Sequence, residues 1–204
     1  MLEIFNTTTL IAIIKTAGYL GLFGIIFAES GILLGFFLPG DSLLFTAGFL
    51  ASQGFLNLAI LIAIVAVAAI AGDSVGYTFG LKVGRKIFER KNSRFFNKKN
   101  LIKAEKFYKE YGGKTIVLAR FIPFIRTFVP IVAGASEMHY GTFIFYNIIG
   151  GVLWAILLPL IGFYLGESIP NVDKYLLPII LLIIIVSLLP PAISLIRNKI
   201  KNKK

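Results

Sequence analysis

The chain has 204 residues, a formal net charge of +11, 57% hydrophobic side chains and a mean hydropathy of +0.84. A soluble domain of this size cannot bury that much apolar surface, so the composition specifies a membrane protein, read as a single domain. Cysteine is absent, which excludes disulfides, Cys-ligated metal sites and thiol chemistry.

At the N-terminus, MLEIFNTTTLIAIIK carries Glu3 and no basic run before its apolar stretch. That charge layout is not the one of a cleaved secretory signal, and residue 1 is read as part of the mature protein. Four segments approach the ~20 residues that cross a bilayer: roughly Thr8–Ala28, Asn57–Leu81, Thr142–Leu165 and Tyr175–Ile196. Two further apolar segments, Gly31–Ser52 and Thr115–Ser136, hold Pro, Gly and charge at their centres. Broken backbone at membrane depth is tolerated only where protein or a water-filled cavity surrounds it, so both are read as re-entrant helical hairpins.

Between the two halves, Lys82–Lys114 holds 12 of the 21 Lys and Arg against three Glu, and Arg197–Lys204 holds five more. Basic loops flanking apolar spans mark the cytoplasmic face and its anionic lipids, so nucleic acid is not an expected partner. Phe88, Phe95, Phe96, Ile102, Phe107 and Tyr108 alternate with these lysines, as in an amphipathic helix on the cytoplasmic leaflet; a solvated connector is the other reading. With both basic regions cytoplasmic, both termini are expected there. The first hairpin then enters from outside and the second from the cytoplasm.

A weak internal duplication accompanies this opposed topology. Ala47-Gly48 precedes GYTFG at Gly76, Ala133-Gly134 precedes GFYLG at Gly162, and both Gly-to-Gly spacings are 28 residues. The expected fold is an all-α membrane protein of about four transmembrane helices plus two opposed re-entrant hairpins in an inverted repeat. The repeats run over about 29–81 and 115–166, with a connector over about 82–114 and a last helix over about 175–196.

Ionisable residues at membrane depth cost roughly 2.5–3.5 kcal/mol each on insertion scales, so each implies a partner or a polar cavity. The candidates are Glu29, Asp41, Asp73, Arg120 and Arg126. Opposed hairpins meeting near the midplane bring Glu29 and Asp41 toward Arg120 and Arg126, where pairing offsets part of the desolvation cost. Arginine offers a planar fork of donors suited to phosphate oxygens. Pro123 and Pro130 are expected to break the helix, leaving free N–H groups beside the same site. Pro39-Gly40-Asp41-Ser42 reads as a helix start that Asp41 or Ser42 caps, and capping alone would also explain Asp41. A carboxyl group there, Glu29 or Asp41, is suited to exchanging protons.

Weaker features complete the inventory. Asp73 is read first as structural, closing a turn or pairing with Lys82 or Arg85. His139, the sole histidine, is read as interfacial. Asn147 is expected to hydrogen-bond within the bundle, and Trp154 to pack or anchor at the interface.

Glu29, F-L-P-G-D at Phe37–Asp41, GDSVGYTFG at Gly72–Gly80, R-F-I-P-F-I-R-T at Arg120–Thr127, Ala133-Gly134 and N-x-x-G-x-x-x-W at Asn147–Trp154 occur in this order. Together they resemble the DedA family, also called the SNARE-associated or VTT-domain family, over roughly Glu29–Gly166. The resemblance implies two opposed re-entrant hairpins in a protein that moves lipids between leaflets. It also implies undecaprenyl phosphate as a bacterial cargo and dependence on the proton-motive force. By position, Glu29 and Asp41 match the family's functional acids, and Arg120 and Arg126 its functional arginines. Tyr164 departs from the family pattern by one position, which leaves its role open.

The expected function is therefore a transporter, not an enzyme, with Arg120 and Arg126 on the lipid phosphate, Glu29 and Asp41 as charge balance or proton carriers, and Pro39, Gly40, Asp73, Pro123, Pro130 and Asn147 supporting them. No metal or cofactor is implied. The expected partners are a polyprenyl phosphate or another anionic phospholipid, the bilayer and protons, with a homodimer as one form of assembly. A general scramblase, a proton-coupled antiporter for small cations or drugs, a lipid-phosphate phosphatase and a membrane adaptor are the rivals. The phosphatase is the poorest of them, because such chemistry wants a histidine near the arginines.

Overall fold

The computed structural model describes residues 7–32, 40–88 and 111–168. They form six helices, α1 (Thr7–Gly31), α2 (Gly40–Ser52), α3 (Leu58–Phe88), α4 (Lys114–Ala119), α5 (Pro123–Ala135) and α6 (Tyr140–Ser168), and no strand. The expected last span, Tyr175–Ile196, and most of the basic connector lie outside the described residues, as does Pro39.

Among the described residues two helices are long and apolar enough to cross a membrane: Leu58–Val83 within α3 and Tyr140–Ser168, with mean hydropathies of 2.5 and 2.3. Only 39% and 33% of their most apolar windows lie inside the protein, and Val67, Phe145, Leu153 and Ile161 face outward. An apolar exterior on helices of this length suits lipid, where a soluble protein would keep that surface inside. The start of α3 is set locally. Gly54 turns the chain with φ 77°, and Asn57 Oδ1 accepts the Ile60 N–H at 3.1 Å as an N-cap.

The direction of α1 differs from the expectation. The Tyr19 hydroxyl accepts the Asn57 N–H at 2.7 Å beside the start of α3, while Gly31 at the end of α1 abuts Gly72, near the middle of α3. The two helices thus run side by side in the same sense, and α1 stops about halfway along α3. Gly40 opens α2 against the Glu29 carboxylate, and α2 returns to the turn from which α3 starts. The expected span Thr8–Ala28 is therefore the first arm of a helical hairpin and runs parallel to α3, where the sequence reading had the two running in opposite senses. The physical reason is the charge at its end. Glu29 near the end of α1 and Asp41 at the start of α2 meet their cationic partner Arg126 beside the middle of α3.

A second hairpin faces it. α4 runs beside α6, with Gly113 against Tyr146 and Val117 against Gly150, and ends at Arg120. Ile122 precedes Pro123 and is extended (φ −110°, ψ 105°), and Pro123 then opens α5 at its first position. Pro123 makes the expected break, but Pro130 does not. It lies inside α5, buried beside Gly76, and the helix continues to Ala135. Its missing N–H removes one intrahelical bond, from the Arg126 carbonyl, without ending the helix.

Each return arm crosses the long helix of the other half through glycine. A side chain on Gly48 of α2 would overlap the Pro159 carbonyl oxygen, and one on Gly162 of α6 the Phe45 carbonyl oxygen. Gly134 of α5 meets the Tyr77 carbonyl and Gly80 of α3 the Ile131 carbonyl in the same way. In all four cases the glycine contacts the carbonyl three residues before the opposing glycine. The helix backbones approach this closely only because no side chain separates them. The pairing sets Gly80 opposite Gly134, as Gly162 is opposite Gly48; the equal 28-residue spacings had singled out Gly76, one turn away. Two apolar clusters close around these crossings. One holds Ile26, Leu44, Leu61, Val65 and Ala155; the other Tyr77, Ile116, Val129, Ala133 and Phe143.

Candidate functional site

The apices of both hairpins meet the midpoints of both long helices, since Asp73 and Trp154 are the central residues of α3 (Leu58–Phe88) and α6 (Tyr140–Ser168). All five charged candidates gather there, but they sort into two groups.

Arg126, one turn into α5, holds both hairpin acids. NH2 donates to Glu29 Oε1, and NH1 donates to Asp41 Oδ1 at 2.5 Å. This is the expected contact between the acids of the first hairpin and an arginine of the second. Gly40 has a clear role in it, because any side chain there would run into the Glu29 carboxylate. Asp41 lies in the first turn of α2 and has partners on other elements. Its Oδ1 also accepts the Trp154 Nε1–H at 3.0 Å, and the indole ring lies 4.8 Å from the Arg126 guanidinium carbon.

Arg120 does not pair with Glu29 or Asp41. NH1 donates to Asp73 Oδ2 at 2.9 Å and to Asn147 Oδ1 at 2.7 Å, and Asn147 Nδ2 in turn donates to the Ile70 carbonyl at 3.1 Å. Asp73 thus takes a partner from the second hairpin, where the sequence had suggested Lys82 or Arg85. Gly150 and Gly151 of α6 make room for the Arg120 side chain, and a side chain on Gly151 would also meet Ile70. The result is a fully buried tie between α3, α6 and the apex of the second hairpin.

Exposure separates the groups further. Side-chain exposure is 4% for Arg120, 9% for Asp73, 5% for Glu29 and 9% for Arg126, against 35% for Asp41. The Arg126 group therefore opens outward at Asp41, and the Arg120 group is closed. Beside the apex, a cleft of about 550 Å³ runs between α4 and α5 from Tyr111 and Lys114 to Ile122 and Ile125, with an almost wholly apolar lining.

Trp154 bears out the packing reading and not the interfacial one. It is 3% exposed at the heart of the cluster and not at an interface. The signal was present: Asn147 and Trp154 are seven residues apart, two turns of a helix, so they share a face. His139 is exposed and remote from the cluster, and Tyr164 faces outward. Among the described residues no group of His, Cys, Asp and Glu is placed to hold a metal ion.

Paired hairpins around a buried ionic core, packed on two lipid-facing helices, define a membrane protein with a polar site at mid-depth. A VTT domain model matches residues 38–164. Protein DedA of Escherichia coli K12 is 47% identical over 183 residues, covering 89% of this chain and 83% of that protein. An uncharacterized membrane protein of Mycobacterium leprae, ML0287, is 44% identical over 170 residues, 83% of this chain and 76% of its own. The inner membrane protein YqjA of Escherichia coli K12 is 33% identical over 174 residues, 81% and 79% of the two chains. The chain belongs to the DedA family of VTT-domain membrane proteins. No solved structure matches it.

Proposed function

We propose that this chain moves a phosphate-headed lipid, of the polyprenyl phosphate class to which undecaprenyl phosphate belongs, between the two leaflets of the membrane. The observation that carries the reading is Arg126: a nearly buried guanidinium gripped by two carboxylates, one of them a third exposed. A fork of donors already arranged for two carboxylates presents the geometry a phosphate needs. The α1–α2 and α4–α5 hairpins are read as re-entrant from opposite faces. With the basic end of α3 cytoplasmic, α1 comes from the other face, which departs from the cytoplasmic N-terminus that the sequence suggested.

Charge balance supplies the coupling. Glu29, Asp41 and Asp73 set three carboxylates against two guanidiniums, Arg120 and Arg126, an excess of one negative charge when all are ionised. A phosphate joining that cluster adds repulsion unless a carboxyl takes up a proton or moves away. Binding of the anion at Arg126 and protonation of Glu29 are thus one exchange, which a proton gradient can drive. Arg120, buried with NH1 already donating to Asp73 and Asn147, acts in this reading as the fixed support and not as a second phosphate ligand. The lipid tail lies in the bilayer beside the α4–α5 cleft. No bond is made or broken, so the activity is transport and not catalysis.

The test is transbilayer movement in liposomes holding the purified protein, comparing a labelled polyprenyl monophosphate with a labelled zwitterionic phospholipid, with and without a pH gradient. Selective, gradient-accelerated movement of the polyprenyl phosphate is the expected result. Equal movement of both lipids would make the protein a general scramblase. The excess negative charge favours one further reading, a proton-coupled antiporter of small cations, and movement of neither lipid would turn the assignment to it.

A further inference from the structure

The inference rests on the phosphate-lipid reading and concerns the same site. Asp41 Oδ1 accepts two donors at once, Arg126 NH1 at 2.5 Å and Trp154 Nε1 at 3.0 Å. The same indole presents its ring 4.8 Å from the Arg126 guanidinium carbon and 5.8 Å from that of Arg120. Trp154 therefore touches both members of the ion pair that has to part when a phosphate takes the Arg126 N–H groups. We propose that Trp154 is a positioning residue: its N–H holds Asp41 in place when the anion displaces it from Arg126, and its ring keeps the guanidinium aimed at the opening.

A hydrogen bond to an ionised carboxylate is stronger than one between neutral groups, so Asp41 keeps a defined seat after losing Arg126. A guanidinium whose carbon lies 4.8 Å from an indole centroid stays attracted to that ring while its N–H groups exchange partners. With Asp41 held nearby, the ion pair re-forms as soon as the phosphate leaves. Without the N–H, Asp41, already a third exposed, is free to turn away, and each cycle waits for its return.

Trp154 is the only tryptophan of the chain, so its emission reports this site with no substitution at all. The purified full chain in detergent micelles is titrated with a polyprenyl monophosphate and, separately, with the uncharged polyprenol. A saturable emission change with the phosphate alone, absent in Arg126→Ala, is expected. In liposomes, Trp154→Phe keeps a ring but lacks the donor. It is expected to bind radiolabelled polyprenyl phosphate within about twofold of wild type while transporting it about tenfold more slowly and with a displaced pH profile.

An equal emission response to the polyprenol would overturn the inference, since the ring would then be sensing the tail. So would wild-type transport and pH profile in Trp154→Phe, and in that case the phosphate reading stands if Arg126→Ala remains inactive. Emission indifferent to polyprenyl phosphate, in a protein whose transport survives Arg126→Ala, would remove both the inference and the reading beneath it.

Discussion

Arg120 and Arg126 have the same side chain at the same apex, yet their neighbours give them different work. Arg120 is enclosed by Asp73 and Asn147 from two helices, whereas Arg126 shares its donors with an acid that reaches the outside. Breaking a buried pair on one side leaves the other charge uncompensated, at a cost of about 3–5 kcal/mol. Asp73→Asn is therefore expected to lower the thermal midpoint of the detergent-solubilised protein sharply, with part of the loss recovered in Asp73→Asn/Arg120→Met. A midpoint equal to wild type for the single variant would mean that the tie contributes nothing to folding. Which acid meets which arginine was only partly legible in the sequence. Charge at the centre of an apolar segment announces that a partner exists, and Glu29, Asp41 and Arg126 were found that way. Asp73 sits in a long continuous helix, and nothing local shows that its depth coincides with Arg120.

At the scale of the helices, glycine decides how the hairpins seat. Gly48, Gly80, Gly134 and Gly162 face carbonyl oxygens where no side chain fits, whereas nothing lies within 4 Å of a side chain added at Gly24. Gly48→Ala and Gly134→Ala are expected to reduce folded yield and thermal midpoint, because the helices must separate to admit a methyl group. Gly24→Ala, in the helical interior of α1, is expected to be neutral or stabilising by up to about 1 kcal/mol. The comparison is read by thermal unfolding of all three variants in one detergent. The sequence showed that these glycines recur, but a spacing along one chain cannot tell which turn of a helix meets the partner. The spacings marked a duplication; the backbone contact itself uses Gly80, the other glycine of the same GYTFG motif. Pro123 and Pro130 show a similar limit. Both read as breaks, and only the one preceded by an extended residue became one.

For the whole molecule, the direction of α1 is the largest revision. An apolar stretch of bilayer length was read as a crossing, but length alone does not distinguish a span from the arm of a hairpin. The chain lacks cysteine, so single-cysteine labelling with a membrane-impermeant maleimide is direct. Thr7→Cys is expected to label from the same face as Phe55→Cys, and Tyr111→Cys from the opposite face. Thr7→Cys labelled from the Tyr111 face would restore a full crossing for the first helix. The all-helical membrane fold, the two interrupted segments and the central charge cluster were legible because each follows from composition or from the cost of charge in lipid. The turning point of α1 depends on the partner at its apex, which lies in the other half of the chain.

Arg126 is proposed to take the lipid phosphate through its fork of donors. The most direct measurement is the rate at which Arg126→Lys moves a labelled polyprenyl monophosphate across liposomes, relative to wild type at equal reconstituted amounts. Lysine keeps the positive charge and loses the planar pair of donors, so a fall of at least about tenfold is expected, the effect of roughly 1.4 kcal/mol. Transport at the wild-type rate in Arg126→Lys would show that a point charge suffices and would contradict the phosphate-fork assignment.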